Sequence, residues 1–413
     1  MLNTSKLFKL KRPNPNLRLV IPSLLILGFY FSEFVSKYLK YSYYEFTRVS
    51  GVIKLIAEVL LLIYIFKFKK ESGKNLIKII AIFTVFYFFG QYFLLRGDFL
   101  NRTILNVYTL NSYMFIFVLY FALEPNSKHN LETLRKQLNY LDFSIKSIFV
   151  INAIAIFTGL IFDLDLFKSY LGFSNRFGYN GFFLHASHSS YIYIIFILYF
   201  FSSYLKTHTT INFYFLIASV VISFLIGTKT VYLFNLLFLL YVLFAYIKRA
   251  YALLILTTLG LLFVFTFSNS VMVFRNNFQV LNNVYENHGI TTMLFSYRDL
   301  NVTHEFIPYI LKNWNFFNYI FGGAEFHQFR TEIEIIDLIW FLGVAGTLLY
   351  LTLLYNKILS QILKIKTLKL PIIIFLFCAL LSGSFFTNVP IIPYLIIFYF
   401  SVTVGYGQTV NNN

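Results

Sequence analysis

Three carboxylates stand at the start of an apolar run in the stretch Glu332-Ile-Glu334-Ile-Ile-Asp337. Glu334 and Asp337 are three residues apart, so they would share one face of a helix. Carboxylates that cluster in a medium of low dielectric constant raise one another's pKa. A carboxylate tuned in this way can act as a general base that removes a proton from a hydroxyl group. The alternative is a structural helix start that is neutralised by Arg330 or Arg298.

Cations with the chemistry of phosphate binding occur at three places. Arg176 precedes two glycines, Arg298 follows Ser-Tyr, and Lys229 lies in the short stretch Gly-Thr-Lys-Thr. A guanidinium is a permanent cation whose N–H groups match phosphate oxygens. A diphosphate in a partly dehydrated site needs more than one such cation, so Arg176 and Arg298 are the candidates to hold one. The alternatives are an arginine at the membrane interface, a local pair of Arg298 with Asp299 or Glu305, and a simple turn lysine.

His185 and His188 follow the same glycine-containing stretch as Arg176. Their spacing of three residues can place both rings on one helix face. Two histidines alone do not complete a metal site, and we predict no metal here. They can instead hydrogen-bond to a sugar or a phosphate, or pack at the membrane interface.

The elements that must position these residues are membrane-spanning helices. The chain has 413 residues, of which 58% are hydrophobic and only 12% are charged. Soluble domains contain about 25% charged residues, and a spanning helix needs about 20 mostly apolar ones. We predict an all-α polytopic integral membrane protein, one membrane domain over 1–413, with about twelve transmembrane helices. The predicted spans are 18–36, 49–67, 75–95, 104–122, 147–165, 189–205, 211–227, 231–247, 251–267, 333–355, 370–388 and 391–407.

Charge in the loops predicts the orientation. With the N- and C-termini in the cytoplasm, the inner loops hold most of the 34 Lys and Arg residues, and the net charge of +17 falls on that face. A basic excess distributed in this way is a topology signal and argues against nucleic acid as a partner. On the outer face lie a loop at 163–188 and a long extracytoplasmic loop at 268–332, between spans 9 and 10. We expect the long loop to be partly helical and functional.

One charged pair falls inside a predicted span. Lys54 and Glu58 are four residues apart on the same helix. Spacing of this kind allows a local ion pair, which lowers the cost of carrying charge into lipid. We interpret the two residues as a pair that neutralises itself, with a transport relay as the alternative.

Residues 170–355 together resemble the Wzy-type polymerases of the O-antigen ligase and polymerase superfamily. The resemblance lies in the order and sidedness of the motifs rather than in any one of them. They are Arg176 with His185 and His188, the Thr-Lys229-Thr hairpin, Ser-Tyr-Arg298, Gly322-Gly323, and Glu332-x-Glu334-x-x-Asp337 running to Gly343-x-x-Gly346. Lys229 stands where many relatives have arginine. Ligases of the superfamily tend to carry histidine near the Glu332 position, so its absence favours a polymerase.

The resemblance implies a glycosyltransferase of the bacterial cytoplasmic membrane that needs no cofactor. It would join polyprenyl-diphosphate-linked oligosaccharide repeat units into O-antigen or capsule glycan by inverting transfer on the outer face. Arg176 and Arg298, assisted by Lys229, would hold the diphosphate. The general base would be one of Glu332, Glu334, Asp337, His185 and His188, and sugars would stack on Tyr297, Trp314 and Phe317. Membrane lipid, a chain-length regulator and a flippase are the expected partners. The alternatives are an O-antigen ligase and a repeat-unit flippase.

Overall fold

The computed structural model describes most of the chain as helices. The described residues are 15–42, 49–94, 99–125, 128–170, 177–246, 272–324 and 330–410. The predicted span 251–267 and the candidate Arg176 lie outside them. The only extended pairing in the described part is an isolated bridge between Lys168 and Tyr179.

The main helices of the described part follow one another in chain order. They are α1 (Pro15–Tyr41), α2 (Val49–Phe68), α3 (Lys70–Leu94), α4 (Phe99–Leu123), α5 (Lys128–Phe162), α6 (Ala186–Thr207), α7 (Thr210–Phe224), α8 (Lys229–Tyr246), α9 (Met272–Phe295), α10 (Ile307–Asn313), α11 (Phe316–Phe321), α12 (Glu334–Leu354), α13 (Lys366–Ser382) and α14 (Ile392–Val410). Short helical turns, among them Arg298–Leu300 and Asn301–Phe306, join α9 to α10. The predicted loop 268–332 is therefore largely helical in its described part.

Seven stretches of the described helices are long and apolar enough to cross a membrane. They are Val49–Phe68, Lys70–Leu94, Asn106–Leu123, Leu131–Phe162, Ala186–Thr207, Lys229–Tyr246 and Glu334–Ile362. Thr210–Phe224 and Ile392–Val404 are shorter apolar helices. The fold is thus that of an all-helical protein with many apolar spans, as expected of a multi-pass membrane protein. The predicted span 370–388 ends early, at Ser382, because Gly383 leaves the helix at a φ of +68°.

Burial separates a central helix from helices that face outward. In α6, 83% of the residues in the most apolar stretch of the helix are buried. This helix is hydrophobic all round and packs against α7, α8, α13 and α14. In α2 the figure is only 22%, and side chains such as Leu55, Leu60 and Ile63 are exposed. Exposed apolar side chains along a whole helix fit a lipid environment.

One spanning helix is broken near its middle. Gly343 in α12 has φ +70° and ψ 179°, outside the helical region. The backbone of Gly322 fills the gap, and a Cβ on Gly343 would collide with Ile320 O. Gly323 N donates to Trp340 O at 3.1 Å, so the inserted segment takes over a hydrogen bond of the helix. The α11 segment is thereby fixed between α3 and α12.

Candidate functional site

The carboxylates of α12 hold a neighbouring connection in place. Glu334 is 1% exposed and accepts hydrogen bonds from the N–H groups of Phe385, at 2.6 Å, and Phe386, at 3.3 Å. Asp337 is also buried and accepts from Thr331 N at 2.9 Å and from the Thr331 hydroxyl at 2.7 Å. Both carboxylates are thus engaged with the backbone at the start of α12. Glu334 fastens this helix to the segment 383–391, which joins α13 to α14, whereas Asp337 holds Thr331, which precedes the helix.

Glu332 is placed differently, because it is exposed and pairs with Arg298. Glu332 Oε2 lies 3.3 Å from Arg298 Nε. Asp299, the predicted alternative partner of Arg298, instead accepts from the Thr292 hydroxyl at 2.6 Å. Glu332 adopts φ +59°, which is uncommon for a residue with a side chain. The structure therefore brings one predicted cation and one predicted carboxylate together at the surface.

Lys229 lies at the start of α8 and reaches the end of α9. Its Nζ donates to Ser296 Oγ at 2.9 Å and also to Met293 O. The hydroxyls of the two threonines beside it contact Ser190, at 2.6 Å, and Ser382, at 2.7 Å. The hairpin thus connects α6, α8, α9 and α13 at one end of the helices.

His188 belongs to a buried polar chain. Its Nδ1 lies 2.9 Å from Glu33 Oε2, and its Nε2 lies 3.0 Å from Asn388 Oδ1. The other oxygen of Glu33 accepts from Lys54 Nζ at 2.7 Å. The ring of His185 lies 4.9 Å from that of His188. Desolvation by the surrounding protein, together with nearby His188, lowers the pKa of His185 to about 4, so this ring is neutral at neutral pH.

The interpretation of Lys54 and Glu58 as a self-neutralising pair is wrong. Lys54 pairs with Glu33 of α1, whereas Glu58 accepts from Asn111 Nδ2 of α4 at 2.7 Å. Spacing of four residues permits a contact along one helix, but here each side chain has its polar partner on a neighbouring helix. The partners come from two other helices, α1 and α4, which no local pattern could indicate.

Sequence reasoning missed Glu33 and Lys37 of α1. Lys37 is fully buried and donates to Asn180 Oδ1 at 2.5 Å and to Gly181 O at 2.8 Å. These bonds hold the loop that precedes α6 over the end of α1. A signal existed, because ionisable residues inside a span are expensive and usually functional or paired. Glu33 and Lys37 lie four residues apart near the end of the first predicted span.

The three aromatic residues predicted to stack on sugars differ in their contacts with the rest of the protein. Tyr297 is 43% exposed, and its ring lies 5.3 Å from that of His288. Phe317 stacks on Phe93 at 4.4 Å, and Trp314 donates its indole N–H to Gly323 O at 2.9 Å. The last two therefore help to pack the α11 segment, although Phe317 is still 45% exposed, so Tyr297 and Phe317 are the two that present an accessible ring face for a sugar.

These groups form one polar layer at the end of the bundle where α6, α8 and α12 begin. We use "polar layer" for Glu33, Lys54, His188, Lys229, Arg298, Glu332, Glu334 and Asn388. The segment 383–391 joins its parts: Gly383 packs against the backbone of Glu332, Phe385 binds Glu334, and Asn388 meets His188. Asn388 Nδ2 and Thr387 Oγ1 are buried and have no hydrogen-bond partner among the described residues, so this segment contains two unsatisfied polar atoms.

The polar layer combines surface cations with a deeper set of proton acceptors. Among the described residues, no three His, Cys, Asp or Glu side chains are arranged to hold a metal ion. The fold and this site define the class: a helical protein with many apolar spans that carries a charged site at one end. Comparisons with protein families, with characterised proteins and with solved structures found no match to this chain.

Proposed function

We propose that this protein is a polysaccharide polymerase of the bacterial cytoplasmic membrane. It transfers a glycan from its polyprenyl diphosphate carrier to a sugar hydroxyl of a second lipid-linked repeat unit, on the outer face. The observation that carries the proposal is the exposed ion pair of Arg298 and Glu332, set in a polar layer at one end of apolar helices. A cation and a carboxylate at 3.3 Å supply both requirements of this reaction, a site for the leaving diphosphate and a base.

The diphosphate competes with Glu332 for Arg298. A diphosphate carries more charge than one carboxylate and can accept two parallel N–H bonds from the guanidinium. Lys229 and Arg176 add positive charge as the bond between the anomeric carbon and the diphosphate breaks. Fixed cations at the developing charge stabilise the transition state.

Glu332 is the base that this arrangement favours. Binding of the diphosphate to Arg298 frees the Glu332 carboxylate, whereas Glu334 and Asp337 remain engaged with backbone N–H groups. The acceptor oxygen attacks the anomeric carbon, its proton passes to Glu332, and polyprenyl diphosphate leaves, which inverts the anomeric centre.

The test is chain extension by purified protein in detergent. Lipid-linked repeat units are supplied, and glycan length and released carrier are both measured. Arg298→Ala is expected to lower the extension rate by about 100-fold or more, because it removes a group that stabilises the leaving group. Lys312→Ala is the matched control, since Lys312 is an exposed cation of the neighbouring helix α10. Full extension by folded Arg298→Ala protein would refute the proposal.

A repeat-unit flippase is the second candidate. It is favoured by the buried chain of Lys54, Glu33 and His188, because charges along a helix interface are typical of transport pathways. Chain extension in detergent, where no membrane has to be crossed, would exclude a pure flippase. An O-antigen ligase is distinguished by its acceptor, since it would transfer glycan to a different lipid or protein and would not lengthen the repeat-unit chain.

A further inference from the structure

A basic cavity lies at the opposite end of the bundle from the polar layer. It is an open cavity of about 460 Å³ that is lined by residues of α5, α6, α7 and α14. Along α6, His188 belongs to the polar layer and Lys206 lines the cavity. Eighteen residues of helix separate them by about 27 Å, close to the thickness of a bilayer core.

The cavity carries uncompensated positive charge. Arg135, Lys136, Lys146 and Lys206 line it, and Asp142 is the acidic residue of the lining. Asp142 is already engaged, because it accepts from Lys146 at 2.8 Å and from the Tyr199 hydroxyl at 2.8 Å. Arg135, Lys136 and Lys206 form no ion pair with any residue that the structure describes. Three cations therefore remain to meet an anion.

The surroundings of the cavity favour a lipid over a soluble anion. Arg135, Asn139, Asp142 and Lys146 follow one another at intervals of three and four residues along one face of α5. Phe143, on the same helix, is 73% exposed, as an apolar side chain in contact with lipid would be. The lining itself includes apolar side chains from α5 and α14, Leu138, Val402 and Val404. A headgroup at the cations would thus have apolar protein surface beside it for its acyl chains.

We propose that this cavity binds the phosphate headgroup of an anionic glycerophospholipid. The Arg135 guanidinium can contact two phosphate oxygens, while Lys136 and Lys206 act as point charges. Basic pockets between spanning helices at the cytoplasmic side are suited to such headgroups. The bound lipid occupies a seam between α5, α6 and α14, and it does so independently of any reaction at the polar layer.

The test measures binding of fluorescent phosphatidylglycerol to the full-length protein in mixed micelles. The variant is Arg135→Gln/Lys136→Gln/Lys206→Gln. The matched control is Lys67→Gln/Lys70→Gln/Lys364→Gln, which removes three exposed lysines from other parts of the same end. We expect the first variant to lose affinity by at least about tenfold and the control by less than about threefold. Phosphatidylcholine and inorganic phosphate serve as comparison ligands, and both are expected to bind weakly to every variant.

Three results would overturn the proposal. They are unchanged binding by the cavity variant, an equal loss in the control, which would indicate diffuse charge, and binding of inorganic phosphate as tight as that of the lipid. A thermal unfolding transition at the wild-type temperature verifies that the cavity variant is folded. Lys136→Arg/Lys206→Arg keeps the charge and is expected to keep the affinity.

Discussion

Glu33 is the residue on which the buried part of the polar layer depends. It is 1% exposed, and it pairs with Lys54 and with His188. We expect Glu33→Gln to lower the free energy of unfolding by about 3–5 kcal/mol, because it leaves buried Lys54 without its counter-charge. Glu58→Gln is the control: Glu58 is also buried, but its one hydrogen-bond partner within the described residues is the neutral Asn111 amide, so a loss of about 1 kcal/mol is expected.

Thermal unfolding in detergent measures both variants. The double variant Glu33→Gln/Lys54→Met is expected to lose less unfolding free energy than the two single variants lose in sum, because neither charge is then left without a partner. Strict additivity would mean that the ion pair contributes nothing.

Lys69 predicts a dependence of stability on alkaline pH. It lies between α2 and α3, where it donates to Ala122 O at 2.8 Å and Glu124 O at 2.6 Å. Burial lowers the pKa of Lys69 to about 8. The unfolded chain therefore holds this proton more tightly than the folded protein does, and stability rises as the pH increases from about 8 to the ordinary lysine value near 10.5.

The size of this rise in stability follows from the difference between the folded and unfolded pKa values of Lys69. Each unit of pKa difference corresponds to about 1.4 kcal/mol, so the rise is at most about 3 kcal/mol. The contribution of Lys69 is isolated by measuring the free energy of unfolding of wild type and Lys69→Met between pH 7.5 and 10.5, because the two proteins share all other titrating groups. Parallel stability curves for the two proteins would contradict the assignment.

At the scale of the element, the break in α12 is the feature with the sharpest consequence for folding. Gly343 has φ +70° and packs against the backbone of Ile320 and Gly322. Gly343→Ala is expected to destabilise the protein by about 2 kcal/mol or more, since it adds backbone strain and a collision with a carbonyl. The decrease in melting temperature relative to wild type measures this loss of stability.

Gly28 in α1 provides the control for this substitution. A Cβ at Gly28 meets nothing within 4 Å, and the residue lies inside a regular helix. Gly28→Ala is expected to be neutral or to stabilise by up to about 1 kcal/mol, because alanine has the higher helix propensity. Equal losses at Gly28 and Gly343 would show that the break has no special role.

The elements were predictable from the sequence to the extent that their signals are local. Apolar runs predicted most of the spanning helices, and the charged loop 268–332 predicted a polar region. The start of α12 and its three carboxylates were found because they lie within six residues. Glu33 and Asn388 were missed, because their contacts with His188 join residues that are 155 and 200 positions apart. The insertion of α11 beside Gly343 was also missed, since it depends on two glycines meeting in space.

At the scale of the whole molecule, sidedness is the property that the proposed reaction requires. We expect Thr303→Cys to react with a membrane-impermeant maleimide in intact cells. Lys364→Cys, between α12 and α13 at the other end of the bundle, should react only after the membrane is opened. Native Cys378 is 1% exposed and should give little background. The reverse pattern would place the polar layer in the cytoplasm and exclude the proposed polymerase.

The insertion of the Gly322–Gly323 backbone at the break in α12 also determines how movement would spread through the molecule. Because Gly323 N–H satisfies Trp340 O, the carboxylate-bearing half of α12 is anchored to a separate stretch of chain. That stretch is anchored in turn, since Ala324 O accepts from Gln91 of α3 and Asn106 of α4. A displacement of α3 or α4 within the bilayer would therefore reach α12 at Trp340, six residues from Glu334, on the same side of the break at Gly343 as the carboxylates.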